Sequence, residues 1–217
     1  GRASRPNTIR LTGLLKHCAI AFWFACFAAA PGLAQKPPEK TTAGLRGPDG
    51  WEVTLYAAEP LITNPTAIDV DSHGRVWVCE GQWYRGRAKT PPADCVKVLE
   101  DTTGDGRADR ATVFADGLLV PMSVAVAGTR VYVGESPNLW VYEDNDGDLQ
   151  ADPGSKKALL TGFGGHNSDH GIHGLVVGPD HRLYMTIGDT GVDVTGPDGS
   201  RAAYRWGAML RCDLDGR

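Results

Sequence analysis

Three stretches of this 217-residue chain read alike: TAIDVDSHGRVWVCE at 66–80, MSVAVAGTRVYVGE at 122–135 and HGLVVGPDHRLYMTIGD at 173–189. Each is an apolar run, a short polar turn and a second apolar run that closes on an acid: Glu80, Glu135 or Asp189. Apolar runs of strand length separated by turn residues mark β-hairpins. The shared Arg75, Arg130 and Arg182 stand 55 and 52 residues apart. A strand-built unit repeating at that period is the signature of propeller blades.

Outward from these hairpins, further apolar runs supply the remaining strands. EVTLYAAE (52–59) and VKVLED (96–101) flank the first hairpin, ATVFADG (111–117) and LWVYED (139–144) the second, KALLTGF (157–163) and AMLRCDLDG (208–216) the third. Four antiparallel strands make one blade. The expected fold is therefore all-β, with about three blades of a six-bladed β-propeller over 49–217 and a chain that continues beyond Arg217. A β-sandwich is the competing architecture, but its strands need not repeat so closely. The 28 glycines and 14 prolines fall between short apolar runs, as turn punctuation does.

The first 34 residues carry Arg2, Arg5, Arg10 and Lys16 and no acid, then an apolar run from 18 to 30, then Gly32-Leu33-Ala34. That order is the one found in export signals, and it predicts cleavage near Ala34 and a periplasmic or membrane-associated product. An uncleaved anchor is the alternative. Residues 35–48, rich in proline and polar side chains, read as a linker. Without the leader, 18 basic residues face 26 acidic ones, a balance that argues against a nucleic-acid partner. Cys79, Cys95 and Cys212 remain, and in an exported chain the first two could form a bridge.

The segment SDHGIHGLVVGPDHRLYMTIGDTG (168–191), followed by GAMLRCDLDG (207–216), resembles the third-blade region of the soluble quinoprotein glucose and sorbosone dehydrogenases. GWEVTLYAAEPLITNPTAIDVDSHGRVWVCE (50–80) and LEDTTGDGRADRATVFADGL (99–118) are more similar to the PVC-type membrane-bound dehydrogenases, which share the propeller and often carry a cytochrome module. The resemblance implies a pyrroloquinoline quinone cofactor, a sugar or other alcohol as substrate and a cytochrome as electron acceptor. It implies His170 as the general base, Asp189 as the group orienting its imidazole, and Asp169 beside the substrate. Imidazole suits that task because its ordinary pKa of about 6.5 lies near working pH.

The residues themselves leave other roles open for His170. It sits among His166, His173 and His181, so it can be a plain rim histidine, or His166, His170 and His173 can bind zinc or copper. The glycines Gly164, Gly165 and Gly171 disfavour the helix that this metal spacing needs.

Two acidic loops, DTTGDGRAD (101–109) and DNDGDLQAD (144–152), align with a 43-residue offset. They present side-chain oxygens from Asp101, Asp105 and Asp109, and from Asp144, Asp146, Asp148 and Asp152. Carboxylates alternating with glycine wrap calcium, although neither loop has the bidentate glutamate that closes an EF-hand. Solvated Asx turns are the alternative. Function is thus expected to be alcohol oxidation by an exported quinoprotein, with a noncatalytic propeller that binds a glycan or protein partner as the rival.

Overall fold

The computed structural model describes residue 40 and residues 42–84, 94–165 and 170–217. The expected leader and its cleavage point lie outside the described residues, as do His166 and Asp169.

β1 (Pro65–Val70), β2 (Val76–Glu80), β3 (Asp94–Glu100) and β4 (Arg110–Leu118) form the first antiparallel sheet in chain order. β5 (Ser123–Ala127), β6 (Arg130–Glu135), β7 (Asn138–Glu143) and β8 (Lys157–Thr161) form the second in the same way. The third joins β9 (Ile172–Val177), β10 (Arg182–Ile187) and β13 (Ala208–Asp213), with a hairpin of β11 (Val192–Thr195) and β12 (Arg201–Tyr204) inserted before β13. The innermost strands β1, β5 and β9 pack side by side. This is the arrangement of three consecutive propeller blades, and among the described residues the three sheets do not close a ring.

The blade boundaries differ from those read in the sequence. Residues 51–58 form no strand, and ATVFADG and KALLTGF close the first and second blades instead of opening the second and third. Each blade begins with the hairpin and adds its outer strands afterwards. The reason is pairing: β4 finds its partner in β3, with Glu100 opposite Arg110, and β8 finds its partner in β7.

Strand periodicity places the core. Successive side chains on a strand point to opposite faces. Val131 and Val133 of β6 therefore pack with Trp77, Phe114 and Cys79 of the first sheet, while Tyr132 between them packs with Leu183, Met185 and Ile172 of the third. The second blade is buried on both faces, so its strands read as continuous apolar runs. Trp77 meets Phe114 edge to face at 4.9 Å between ring centroids, a geometry favoured by the ring quadrupoles. The faces of the first and third sheets turned away from the second expose Ile68, Val70, Val113, Val176 and Met209.

Polar side chains tie blade to blade. The buried Asp94 accepts from Val120 N at 2.7 Å, Asp69 from Val126 N at 2.8 Å, and Thr66 Oγ1 donates to Pro121 O at 2.6 Å. Ser136 Oγ accepts from Ile172 N at 3.2 Å, linking the second blade to the third.

The expected Cys79–Cys95 bridge does not form; both thiols are free and buried. Register explains it, because Cys79 lies opposite Val96 while Cys95 lies opposite Glu80. Offset by one residue, the two side chains leave their strands on opposite faces.

Candidate functional site

The acid that follows or closes the second strand of each blade, Glu80, Glu135 or Asp189, has two fates. In the first blade Glu80 is buried, accepts from Thr63 N at 2.7 Å and pairs with Lys97 Nζ at 2.8 Å. In the second, Glu135 accepts from Leu119 N and from Trp140 Nε1, both at 2.7 Å. Both acids bond the backbone of the segment that leads into their own blade, which is a structural task. In the third blade Asp189 lies in the open, with its side chain 66% exposed, and its Oδ1 meets His170 Nδ1 at 2.5 Å.

A register correction produces that meeting. The turn at 178–181 starts the ladder with Leu183 opposite Val177, a pairing whose continuation would put Asp189 opposite Gly171. One residue is then absorbed between Tyr184 and Thr186, so Thr186 faces His173 and Ile187 faces Ile172. Gly174, at φ +62°, takes the left-handed conformation of this bulge, which other residues rarely adopt. Continued by two residues, the shifted register sets His170 opposite Asp189. In the second blade the strands join through a two-residue turn, with Ala127 opposite Arg130, and keep one register as far as Ser123 opposite Gly134. Val120 lies in the loop before β5, where its N–H donates to Asp94.

The backbone around His170 is tightly set. Its carbonyl accepts from Thr190 Oγ1 at 2.6 Å. A Cβ on Gly188 would stand 2.8 Å from the His170 carbonyl carbon, so any side chain there would push the histidine away. Neither Gly188 nor Ser136 stood out in the sequence, since the need for each arises from contacts across chain segments.

The other histidines separate from this pair. His173 Nδ1 lies 2.9 Å from Thr186 Oγ1 within the sheet, and His181 occupies the turn at φ 57°. Among the described residues, neither joins His170 in a group arranged to hold a metal ion. Asp169 lies outside the described residues.

The acidic loops occupy equivalent places, between β3 and β4 and between β7 and β8. In the first, Asp101 accepts from Gly104 N and Gly106 N at 2.7 Å, and the Gly106 bond above all holds its carboxyl below the usual range. Asp109 accepts from Thr102 Oγ1 at 2.9 Å, and Asp105 from Arg107 N at 2.9 Å. In the second, Asp144 accepts from Gly147 N at 2.8 Å and Asp152 from Asn145 Nδ2 at 2.6 Å. There the carboxylates of Asp144, Asp146 and Asp152 come within 4.8 Å of one another, whereas Asp148 turns to Gln150 N at 2.8 Å. Both loops make the hydrogen bonds of Asx turns.

Residues 37–215 match the family model described as Domain of unknown function (DUF7133). The chain belongs to the DUF7133 family. No curated protein matches the sequence. Among solved structures, the DUF7133 chain is similar to the iodide structure of the Trichoderma reesei carbohydrate-active enzyme of family AA12, with 17% identity and a TM-score of 0.46 over 65% of this chain and 34% of that one. It is also similar to regucalcin, a calcium-binding protein of Agrobacterium tumefaciens, with 15% identity and a TM-score of 0.44 over 69% of this chain and 45% of that one. For a luciferin-regenerating enzyme the values are 10% and 0.44, over 66% of this chain and 45% of that one. The DUF7133 chain thus spans less than half the length of each of these structures.

Proposed function

We propose that the chain is part of an exported oxidoreductase that oxidises a sugar or other alcohol, with His170 as the general base. The observation that carries this reading is the exposed His170–Asp189 pair, at the blade position where the first two blades use their acid for structure. A carboxylate on Nδ1 selects the tautomer with its proton on that nitrogen, so that Nε2 is the ring nitrogen that accepts a proton. With the imidazole 46% exposed, a substrate hydroxyl can come to it from solvent. Nε2 takes the hydroxyl proton as hydride leaves the carbon that bears that hydroxyl, and Asp189 stabilises the imidazolium that results.

The hydride needs an acceptor, and the family resemblance points to pyrroloquinoline quinone. A quinone bearing three carboxylates calls for cationic and aromatic neighbours. The described residues in contact with the His170 backbone, Gly165, Gly188 and Thr190, are small and uncharged. They form no cradle for that group, and this chain contributes the base and its orienting acid. Calcium at the 144–152 loop and a cytochrome partner belong to the same reading.

The test uses the full-length gene product, supplied with pyrroloquinoline quinone and calcium, and screens sugars against an artificial electron acceptor. His170→Asn is expected to lower turnover by about 100-fold or more while leaving the folded state intact. Turnover equal to that of the parent would overturn the assignment.

A further inference from the structure

The segment that carries His170 is held from the second blade as well as from its own. Gly188 N donates to Gly171 O at 3.1 Å, so Ile172 and Ile187, next along the ladder, form a non-hydrogen-bonded pair. Both amide groups of Ile172 therefore point away from β10, and among the described residues β9 has no strand on that edge. Ile172 is fully buried, and buried amide groups need partners. Two buried serines of the second blade supply them. Ser136 Oγ accepts from Ile172 N at 3.2 Å, and Ser123 Oγ donates to Ile172 O at 3.5 Å.

Ser136 also sets the packing. A Cβ on Gly171 would fall on Ser136 Oγ and stand 2.8 Å from Gly164 O, so the hydroxyl occupies the space of the missing side chain directly after the histidine. The corresponding point between the first and second blades is built differently. Gly81 follows Glu80 as Ser136 follows Glu135, and a Cβ there would stand 3.7 Å from Val120 Cγ1. That entry segment is packed by an isopropyl group and tied by Asp94, which accepts from Val120 N at 2.7 Å. A hydroxyl at this place is thus no requirement of blade packing, and it stands where the next segment carries the histidine. With His170 O held by Thr190 Oγ1 at 2.6 Å and Gly171 O by Gly188 N, the bond to Ser136 fixes a third point on consecutive residues. Together they set the direction in which the imidazole leaves the chain.

We infer that Ser136 is a positioning residue, whose hydroxyl holds the backbone of the neighbouring blade so that the His170 imidazole meets Asp189. The effect on the pair stands apart from the oxidoreductase reading, and only the effect on turnover rests on it.

At pH 8, above the ordinary imidazole pKa of about 6.5, proton–nitrogen correlation spectra of the labelled full-length gene product report which ring nitrogen of His170 carries the proton. His170→Asn identifies the signal. The parent is expected to hold the proton on Nδ1, bonded to Asp189. In Ser136→Ala the ratio of the Nδ1–H to the Nε2–H form should fall about tenfold, the scale of one hydrogen bond to a charged group. Ser136→Thr keeps the hydroxyl and should retain the parent's ratio. Ser136→Cys, a weak acceptor of similar shape, should fall between them and carries the test if the alanine variant does not fold. Thr66→Val removes the bond from Thr66 Oγ1 to Pro121 O, 2.6 Å, which joins the first two blades; it should lower stability and leave the ratio unchanged. A parent-like ratio in Ser136→Ala, or in Ser136→Cys where the alanine variant does not fold, overturns the inference. So does a parent with its proton on Nε2, or an equal fall in Thr66→Val. A ratio that depends on Ser136 in a protein that oxidises no alcohol would uphold the positioning role and reject the dehydrogenase. Turnover that needs His170, with a ratio indifferent to Ser136, would do the reverse.

Discussion

Removing Glu80, Glu135 and Asp189 in turn should give a graded set of stabilities. Glu80 is 1% exposed, and Glu80→Ala leaves the half-buried Lys97 ammonium and the Thr63 N–H without their carboxylate. Breaking a buried pair in this way costs about 3–5 kcal/mol. Glu135→Ala strands two donors, Leu119 N and Trp140 Nε1, at about 1–3 kcal/mol each, which predicts about 2–4 kcal/mol because the site is only partly buried. Asp189→Ala removes an exposed partner of an exposed histidine and should cost about 0–1 kcal/mol. Urea unfolding of the protein, followed by tryptophan fluorescence, measures all three. With a slope of about 2 kcal/mol per molar, the midpoint should fall by roughly 1.5–2.5 M for Glu80→Ala and by less than about 0.5 M for Asp189→Ala. The double variant Glu80→Leu with Lys97→Met should regain much of the loss, since an apolar pair replaces a buried ionic one at little cost. If Asp189→Ala destabilised as much as Glu135→Ala, the acid of the third blade would be structural too, and the argument for a chemical role would fail.

Two further outcomes are expected. Calorimetry with calcium should show tighter binding at 144–152 than at 101–109, because Asp144, Asp146 and Asp152 converge there while the first loop has the neutral Thr103 in place of Asp146; Asp146→Ala should remove the stronger site, and no calcium heat from the parent would dismiss both loops. Burial raises the thiol pKa of Cys95 to about 12 and of Cys212 to about 11, and moves Cys79 upward as well, so a thiol reagent at pH 8 should find almost no reactive group in the native chain. In denaturant without reductant, a chain starting near Gln35 should titrate three thiols, and a count of one would show that Cys79 and Cys95 are bridged after all.

The hairpins were legible because everything that makes them is local. Period-two apolar runs, with turn residues between them, place 66–80, 122–135 and 173–189 correctly as the inner half of each blade. Blade membership of the outer strands was not local. ATVFADG has the same period whether it follows VKVLED or precedes MSVAVAG, and only the ladder between β3 and β4 decides. The disulfide expectation failed for a related reason. Two cysteines on paired strands are bridged or kept apart by a one-residue difference in register, and composition carries no information on that difference.

The candidate site shows how far turn counting can reach. Taking the four residues 178–181 as a symmetric turn pairs residues whose numbers sum to 359, and that sum brings His170 to Asp189. The ladder actually leaves the turn with pairs summing to 360, and the bulge at Gly174 lowers the sum to 359 before the site is reached. The first blade follows the same course: Ala67 faces Cys79, and after one absorbed residue Pro65 faces Glu80. The second blade absorbs none between its turn and Ser123. A shift of one residue exchanges the two faces of a strand. Without the bulge, the segment that carries His170 would turn its imidazole to the opposite face from Asp189, and the glycine at 171 would stand across from the acid. The pairing of base and acid therefore depends on a glycine three residues beyond Gly171 that touches neither of them. Gly174→Val would be strained at φ +62° and would bring its Cβ against Thr186 Oγ1, so the native register should lose its advantage there. The expected result in the full-length protein is a loss of turnover comparable to that of His170→Asn, with the strands of the other two blades still protected from amide exchange. Full activity in Gly174→Val would mean that the dyad does not depend on the bulge.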